Sequence, residues 1–306
     1  MLQPFGDITG GLQRLLTGDS SEPFQIGGMQ VVDGRLHWTL FRYYNVAGND
    51  FASHAVSSLH IDELSGVEGL WHLGPMNSSI PQWHSYKHAG YITEIPEPAA
   101  SELFGGRNLM SGLQISTGLS YSSQGPALFA YRLPEPGQLA PDGSLDAVPL
   151  LWYSEQQPLD GHHPADRWTG AAWLTLGGRQ AVVAVGRKAH GAVYYGEARP
   201  HDCYPYKGYH GSAYETQMLF YDPADLAAAA SGQRSACGLA PWYRWDSHDP
   251  GGGIDRFMFQ ACGRDIGGMT YDRANNVLYI VEADAGCTSE DEWEPTPVIH
   301  AFRVVD

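Results

Sequence analysis

The stretch Gly170-Ala171-Ala172-Trp173-Leu174-Thr175-Leu176 runs through Gly177-Gly178 into Gln180-Ala181-Val182-Val183-Ala184-Val185. Apolar and β-branched residues flank a Gly pair that can take the positive φ angles of a tight turn. The pattern reads as a strand, a two-residue turn and a return strand. Two other segments repeat it. Gly27-Gly28-Met29-Gln30-Val31-Val32 turns at Asp33-Gly34 into residues 35–41, and Gly267-Gly268-Met269-Thr270-Tyr271 turns around Asn275-Asn276 into residues 277–281. The three starts, 27, 170 and 267, are 143 and 97 residues apart, near three and two times a unit of about 48. That period, with antiparallel strands, predicts an all-β chain folded as a β-propeller of six or seven blades. A β-sandwich with long loops is the alternative.

Further strands are expected at residues 127–133, 218–221 and 297–305, with residues 5–16 completing the blade of the last. The unit near residue 75 is weakly marked. One short helix is expected near 223–231: Asp222 can cap it, Pro223 suits its first position and Gly232 its stop. No internal linker interrupts the chain, so residues 1–306 read as a single propeller domain.

Composition narrows the function classes. The chain has 306 residues, 43% of them apolar, with 9 Trp, 17 Tyr and 37 Gly. It is too apolar and aromatic for disorder and lacks the heptads of a coiled coil. Its net charge of −16 opposes nucleic-acid binding, which needs a basic surface. No apolar run approaches a membrane span. Residues 1–7 carry neither the basic region nor the apolar core of a signal peptide. The four cysteines, Cys203, Cys237, Cys262 and Cys287, fit a few staples or one metal site. Nothing marks an oligomer interface, and a monomer is expected.

No phosphate-binding loop, dinucleotide fingerprint, nucleophile elbow or HExxH helix occurs. Chemistry would have to come from side chains converging on one face. His37, His54, Tyr91 and Arg107 suit β-elimination on a uronic acid. Arginine can pair with the sugar carboxylate and acidify the adjacent C–H; a neutral His or Tyr can take the proton; Tyr can protonate the leaving oxygen. The same residues also suit a satisfied core histidine, a core tyrosine and a surface arginine. His190, Cys203 and His210 fall within twenty-one residues and could ligate zinc, with His201 or Asp202 as a fourth ligand or with an open position. Glu282, Asp284 and the run from Glu290 to Glu294 could hold calcium through oxygens, or form a solvated loop. A bridge between Cys262 and Cys287, or from one of them to Cys237, suits an oxidising compartment. Aromatic runs at 83–88, 152–153 and 242–245 could stack on sugars, with Trp83, His88 and Tyr153 as candidate substrate contacts.

Taken together, Tyr43-Tyr44-Asn45 with Ser53-His54, Gly90-Tyr91-Ile92 with Ile95-Pro96, Gly105-Gly106-Arg107, and the block from Gly186-Arg187 through His190-Gly191, Tyr195-Gly196 and Cys203 to Lys207-Gly208-Tyr209-His210 resemble the propeller polysaccharide lyases, the ulvan and rhamnose–glucuronate lyases. The resemblance implies a seven-bladed propeller that cleaves a uronic-acid-containing polysaccharide. It implies His37 and His54 as the histidine pair, with His54 the general base or its partner. It implies Tyr91 as proton donor, Arg107 as the carboxylate-neutralising group and Tyr153 as a substrate contact. It implies a structural zinc on His190, Cys203 and His210, although Tyr194 stands where a further Cys is expected. It also implies a secreted or periplasmic protein whose partner is an acidic polysaccharide or oligosaccharide. Two other readings stay open. A glycoside hydrolase would need two carboxylates about 5–10 Å apart, drawn from Asp50, Glu94, Asp166 and Asp255. A non-catalytic carbohydrate- or protein-binding propeller would need only an aromatic face.

Overall fold

The structure, a computed structural model, describes residues 25–41, 52–59, 67–76, 83, 88–112, 124–197, 207–259, 265–283, 285 and 296–305. The chain is built mainly of strands, as the alternating apolar patterns predict, and forms two compact units. The first comprises residues 1–113 and 128–149; the second comprises 114–127 and 150–306.

In the first unit, β1 (Gln25–Val32), β2 (Arg35–Phe41), β3 (His54–Ser58) and β4 (Glu68–Leu73) follow one another as an antiparallel meander. The turn between β1 and β2 places Asp33 and Gly34 both at positive φ, the geometry that continues the right-handed twist of a hairpin. A second meander contains β5 (Tyr91–Glu94), β6 (Leu109–Gly112) and β7 (Leu128–Arg132). Between β5 and β6 lies α1 (Ala99–Phe104), a helix the sequence reading did not anticipate. Its six residues are too few to show a helical period, but Gly105 ends it in the left-handed conformation. β8 (Ser144–Leu151) joins the meanders, running parallel to β4 at His72–Ser144 and Leu73–Leu145. The strand order is β1-β2-β3-β4-β8-β7-β6-β5.

This eight-stranded sheet is nearly closed on itself. Its outermost strands approach where Gly27 and Gly28 interrupt β1. A Cβ on Gly28 would lie 2.6 Å from the Ile92 nitrogen and 2.7 Å from the Tyr91 Cα, and one on Gly27 would collide with the Ala89 carbonyl. Only glycine lets backbone meet backbone this closely. Thr39 on β2 completes the junction. Its buried hydroxyl accepts from the Gly28 N–H at 2.8 Å and donates to the Ala89 carbonyl at 2.8 Å.

In the second unit, β9 (Arg167–Leu176) and β10 (Arg179–His190) form the hairpin predicted around Gly177-Gly178, both glycines at positive φ. β11 (Tyr194–Gly196) and β12 (Gly208–His210) make a short antiparallel pair. β13 (Ala213–Tyr221) lies on β10, and β14 (Tyr243–Trp245) lies on β13, giving the antiparallel order β14-β13-β10-β9. Between β13 and β14 sits α2 (Pro223–Ala230), matching the predicted helix. The Asp222 side chain accepts from the Ala224 N–H at 2.8 Å, as the capping argument requires. The third predicted hairpin is β15 (Ile266–Asp272) with β16 (Val277–Glu282), and β17 (Val298–Arg303) extends it. Ala172, Val183, Val185, Met218, Leu278 and Ile280 are part of one apolar cluster that joins these two sheets. Residues 5–16 lie outside the described residues.

The near-closure of the first sheet rests on absent side chains, which is testable. Gly28→Ala is expected to lower stability by about 1–3 kcal/mol in urea denaturation, because the added methyl meets unyielding backbone. Gly268→Ala, whose Cβ would meet nothing within 4 Å, serves as the neutral control.

Candidate functional site

Two groups of predicted residues lie in the first unit. His54 opens β3 and is only 1% exposed. Its Nδ1 shares a hydrogen bond with the Ser53 hydroxyl and its Nε2 with the Ser111 hydroxyl, each 3.0 Å long. The His88 ring is 5.5 Å away, and Tyr131 meets His54 edge-on at 5.0 Å. Burial, then the nearby His88 and His72, hold the His54 imidazole well below its usual pKa. It is therefore neutral at ordinary pH, the form in which a histidine accepts a proton. His37 is its neighbour on the sheet. Thr39 pairs with His54 across β2 and β3, and His37 lies two residues from Thr39, so all three share one face. Burial also lowers the His37 pKa, to about 4; Nε2 meets the Val32 carbonyl at 3.3 Å.

The predicted Tyr91 does not join this group. Ser111 pairs with Ile92 and Phe129, whereas Tyr91 pairs with Gly112, one position along. Successive residues alternate faces, so Tyr91 projects from the opposite face to the serine that binds His54. The tyrosine that does meet His54 is Tyr131, which the sequence reading passed over. Its deep burial raises its phenol pKa and keeps the hydroxyl protonated. His88 and Trp83 also gather here. His88 is fully buried, its Nε2 is 3.1 Å from the Trp83 carbonyl, and the Trp83 ring packs on Phe129 at 5.1 Å.

Arg107 stands at the other end of β6. It precedes Leu109, which faces Glu94, while Tyr91 faces Gly112. Arg107 precedes Gly112 by five positions, roughly 15 Å of extended backbone. The Arg107 guanidinium donates to the Phe104 carbonyl at 2.9 Å and to Asp146 Oδ1 at 2.5 Å. The other oxygen of Asp146 receives Arg132 Nε at 3.0 Å. Two arginines thus converge on one carboxylate. Arg132 and Asp146 line a cavity of about 440 Å³, together with Glu135, Gln138 and Ser144.

The remaining predicted residues lie in the second unit. Tyr153 is buried; its hydroxyl donates to the Leu239 carbonyl and meets the Tyr221 hydroxyl at 3.0 Å. Its ring packs against Gly125, where a Cβ would strike it. Of the predicted zinc ligands, Cys203 lies outside the described residues. His190 directs Nε2 to Glu215 Oε1 at 2.9 Å. His210 meets the Gly196 carbonyl at 3.3 Å and stacks on Tyr194 at 4.6 Å. His201 and Asp202, like Cys262, Cys287, Asp284 and the acidic run 290–294, lie outside the described residues. Glu282 is buried against His300, 2.8 Å away. Among the described residues Cys237 is a free thiol, bonded to the Ser154 hydroxyl at 3.8 Å. Of the carboxylates considered for hydrolysis, Asp50 lies outside the described residues and Asp255 accepts from the Thr216 N–H at 2.8 Å. Asp166 is buried against Lys188 Nζ at 3.1 Å and the Ala189 N–H at 2.8 Å.

Among the described residues one group of potential cation ligands emerges that the sequence reading missed. Glu215, Asp246 and His248 each bring one potential ligand atom within 4.8 Å of the others. The sequence signal was the short Asp246-Ser247-His248 run. Its partner on β13 is thirty-one residues away and is found only through the strand order.

The buried histidines give a pH dependence of known sign. The unfolded chain protonates His37 near pH 6.5, but the folded chain resists protonation until about pH 4. Stability therefore falls as pH drops through that window. At pH 5 this residue alone is expected to cost about 2 kcal/mol relative to pH 7. Urea denaturation at both pH values checks this: His37→Gln should lose less stability than wild type on acidification. Comparison with family models, with curated proteins and with solved structures finds no match for the chain.

Proposed function

We propose that the protein is a polysaccharide lyase that cleaves a uronic-acid-containing polysaccharide by β-elimination. The observation that carries this reading is the pair of guanidinium groups, Arg107 and Arg132, on the one carboxylate of Asp146 beside the 440 Å³ cavity. Two arginines fixed on a carboxylate are the arrangement that recognises a uronate. In the proposed reaction the sugar carboxylate takes the place of the Asp146 carboxylate. Neutralising it makes the neighbouring C5–H more acidic. A neutral base takes that proton, the electron pair forms the C4–C5 double bond, and the C4–O bond breaks. The leaving oxygen takes a proton from a tyrosine hydroxyl.

His54 is the base that the family resemblance implies. It meets Ser111 and Tyr131 on one face of the sheet, whereas Arg132 follows Tyr131 and faces the other way. The reading therefore needs a rearrangement that brings base and arginines to one sugar. His37 supports His54 from the same strand face. Tyr91 is the proton donor that the family resemblance implies, and Tyr131 is the protonated tyrosine whose ring meets His54 edge-on. The reading requires substrate to reach a histidine that is 1% exposed, so the groups covering His54 must part during turnover. The same proposal treats the antiparallel sheets β1–β4, β5–β7, β9-β10-β13-β14 and β15–β17 as propeller blades. A blade contains four antiparallel strands, the number in β1–β4 and in β9-β10-β13-β14.

Ultraviolet absorbance tests the reaction, because β-elimination creates a conjugated unsaturated uronate and hydrolysis does not. Incubation with ulvan or other uronate polysaccharides should raise the absorbance. Arg107→Ala and His54→Ala should each lower the rate at least a hundredfold. Tyr91→Phe and Tyr131→Phe decide which hydroxyl donates. New reducing ends without absorbance would instead assign a hydrolase.

Asp146 gives a second test with the opposite sign. It competes with the substrate carboxylate for the two arginines. Asp146→Asn is expected to tighten binding of a uronate oligosaccharide several-fold by calorimetry, while Arg132→Ala weakens it. Weaker binding in Asp146→Asn would remove the arginine pair from the proposal.

A further inference from the structure

The far end of the β10–β13 ladder collects charged groups inside the second unit. Lys188 pairs with Glu215, and His190 with Ala213, so Lys188, His190 and Glu215 share one strand face. Beside them, β14 ends at Trp245 and the chain continues through Asp246, Ser247 and His248. Glu215 and Asp246 are both buried, whereas the His248 side chain is 82% exposed.

Each carboxylate is held from behind. Glu215 receives His190 Nε2 on Oε1 at 2.9 Å and the Ser247 N–H on Oε2 at 3.1 Å. Asp246 receives Gln217 Nε2 on Oδ2 at 2.8 Å and the His248 N–H on Oδ1 at 3.0 Å. The Asp246 backbone N–H is itself fixed by Asp249 Oδ2 at 2.9 Å. Such outer contacts are what orient metal-ligating carboxylates. An independent feature lies in the same place. Gln217 is only 3% exposed, yet its side-chain carbonyl oxygen has no hydrogen-bond partner among the described residues. The other atom of that amide already bonds Asp246, so an uncommitted oxygen donor borders the cluster.

We infer that Glu215, Asp246 and His248 bind a first-row divalent cation, with Zn²⁺ the best match, and that His190 and Gln217 position the two carboxylates. Two carboxylates buried this close repel each other, and a divalent cation between them turns repulsion into attraction. Calcium takes oxygen ligands, whereas an imidazole with two carboxylates suits zinc and its neighbours. The 3.2 Å between His248 Nδ1 and Asp246 Oδ1 is close to the separation of two donors on one metal at roughly 2.0–2.2 Å. The exposed His248 supplies an entry path, and three protein ligands leave a coordination position open. The site uses neither Cys203 nor His210, and His190, which the family resemblance implies as a zinc ligand, here directs Nε2 to Glu215 instead. It clips the end of β14 to β13.

Calorimetric titration of Zn²⁺ into the chelator-treated full chain tests this. Wild type should bind one equivalent that His248→Ala weakens at least tenfold. His248 is exposed, so its removal leaves the fold intact. The same equivalent should persist in a Cys203→Ser/His210→Ala double variant. Co²⁺ in place of Zn²⁺ should give a visible ligand-field spectrum that His248→Ala alters. Wild-type affinity in His248→Ala would overturn the assignment. So would absence of Zn²⁺ binding by wild type, or loss of all binding in the Cys203/His210 variant.

Discussion

The Thr39 hydroxyl is the contact on which the first unit turns. It accepts a hydrogen bond from the Gly28 N–H and donates one to the Ala89 carbonyl, both at 2.8 Å in a fully buried position. A single oxygen thereby joins β1, β2 and the approach to β5. Left unmade, each of these buried bonds would expose a polar group to a site without water, at about 1–3 kcal/mol apiece. The bonds also need backbone to come close, which is why Gly27 and Gly28 carry no side chain. His54 pairs with Thr39 across β2 and β3. The junction that draws the sheet together therefore also sets the position of the most deeply buried candidate base.

Much of the architecture was legible because turns and caps are local. Asp33-Gly34 and Gly177-Gly178 declare their hairpins through the φ angles they tolerate, and Asp222-Pro223 declares α2. The helix at residues 99–104 was not legible: six residues give less than two turns, and its stop at Gly105 reads equally as a loop. The candidate site was legible in residue type and not in facing. His37 and His54 fall on one face of the sheet. Tyr91 and Ser111 differ by one register position, and one position exchanges the faces of a sheet. Nothing within a single strand specifies that register. It follows from Gly112 facing Tyr91, a pairing between segments twenty-one residues apart.

The same limit explains the metal ligands. His190, Cys203 and His210 stand close along the chain, and closeness in sequence suggested a site. Cys203 lies outside the described residues. His190 ends β10 and turns to Glu215, while His210 lies on β12 and stacks on Tyr194. A group of potential ligands that closeness along the chain does not reveal unites residues 215, 246 and 248, because β14 lies beside β13. The strand sequence still foreshadows where polar chemistry begins. Along β10, Val182–Val185 contribute to the apolar core, and Gly186 then opens the run Arg187-Lys188-Ala189-His190. Past that glycine both faces of the strand carry buried charge. Arg187 covers the Tyr214 ring at 4.7 Å, and Lys188 reaches Asp166. A buried lysine or carboxylate is costly without such partners. This half of the strand is therefore fixed by pairing where the other half is fixed by packing.

Charge is the remaining constraint on the proposed reaction. A net charge of −16 repels a polyanion at a distance, and salt confines that repulsion to about 8 Å at physiological ionic strength. Within that range individual groups decide. Beside the cavity, two arginines face Asp146, with Glu135 also in the lining. Four charges of alternating sign leave the site close to neutral as it stands. A substrate carboxylate gains from the arginines only when Asp146 yields them, so recognition there is an exchange of one carboxylate for another. In the proposed reaction such an exchange would favour a uronate over a neutral sugar. A neutral sugar offers nothing to replace the displaced bonds, whereas a uronate replaces both. The acidic surface and the proposed acidic substrate are therefore compatible, provided that the two guanidinium groups always keep a carboxylate between them.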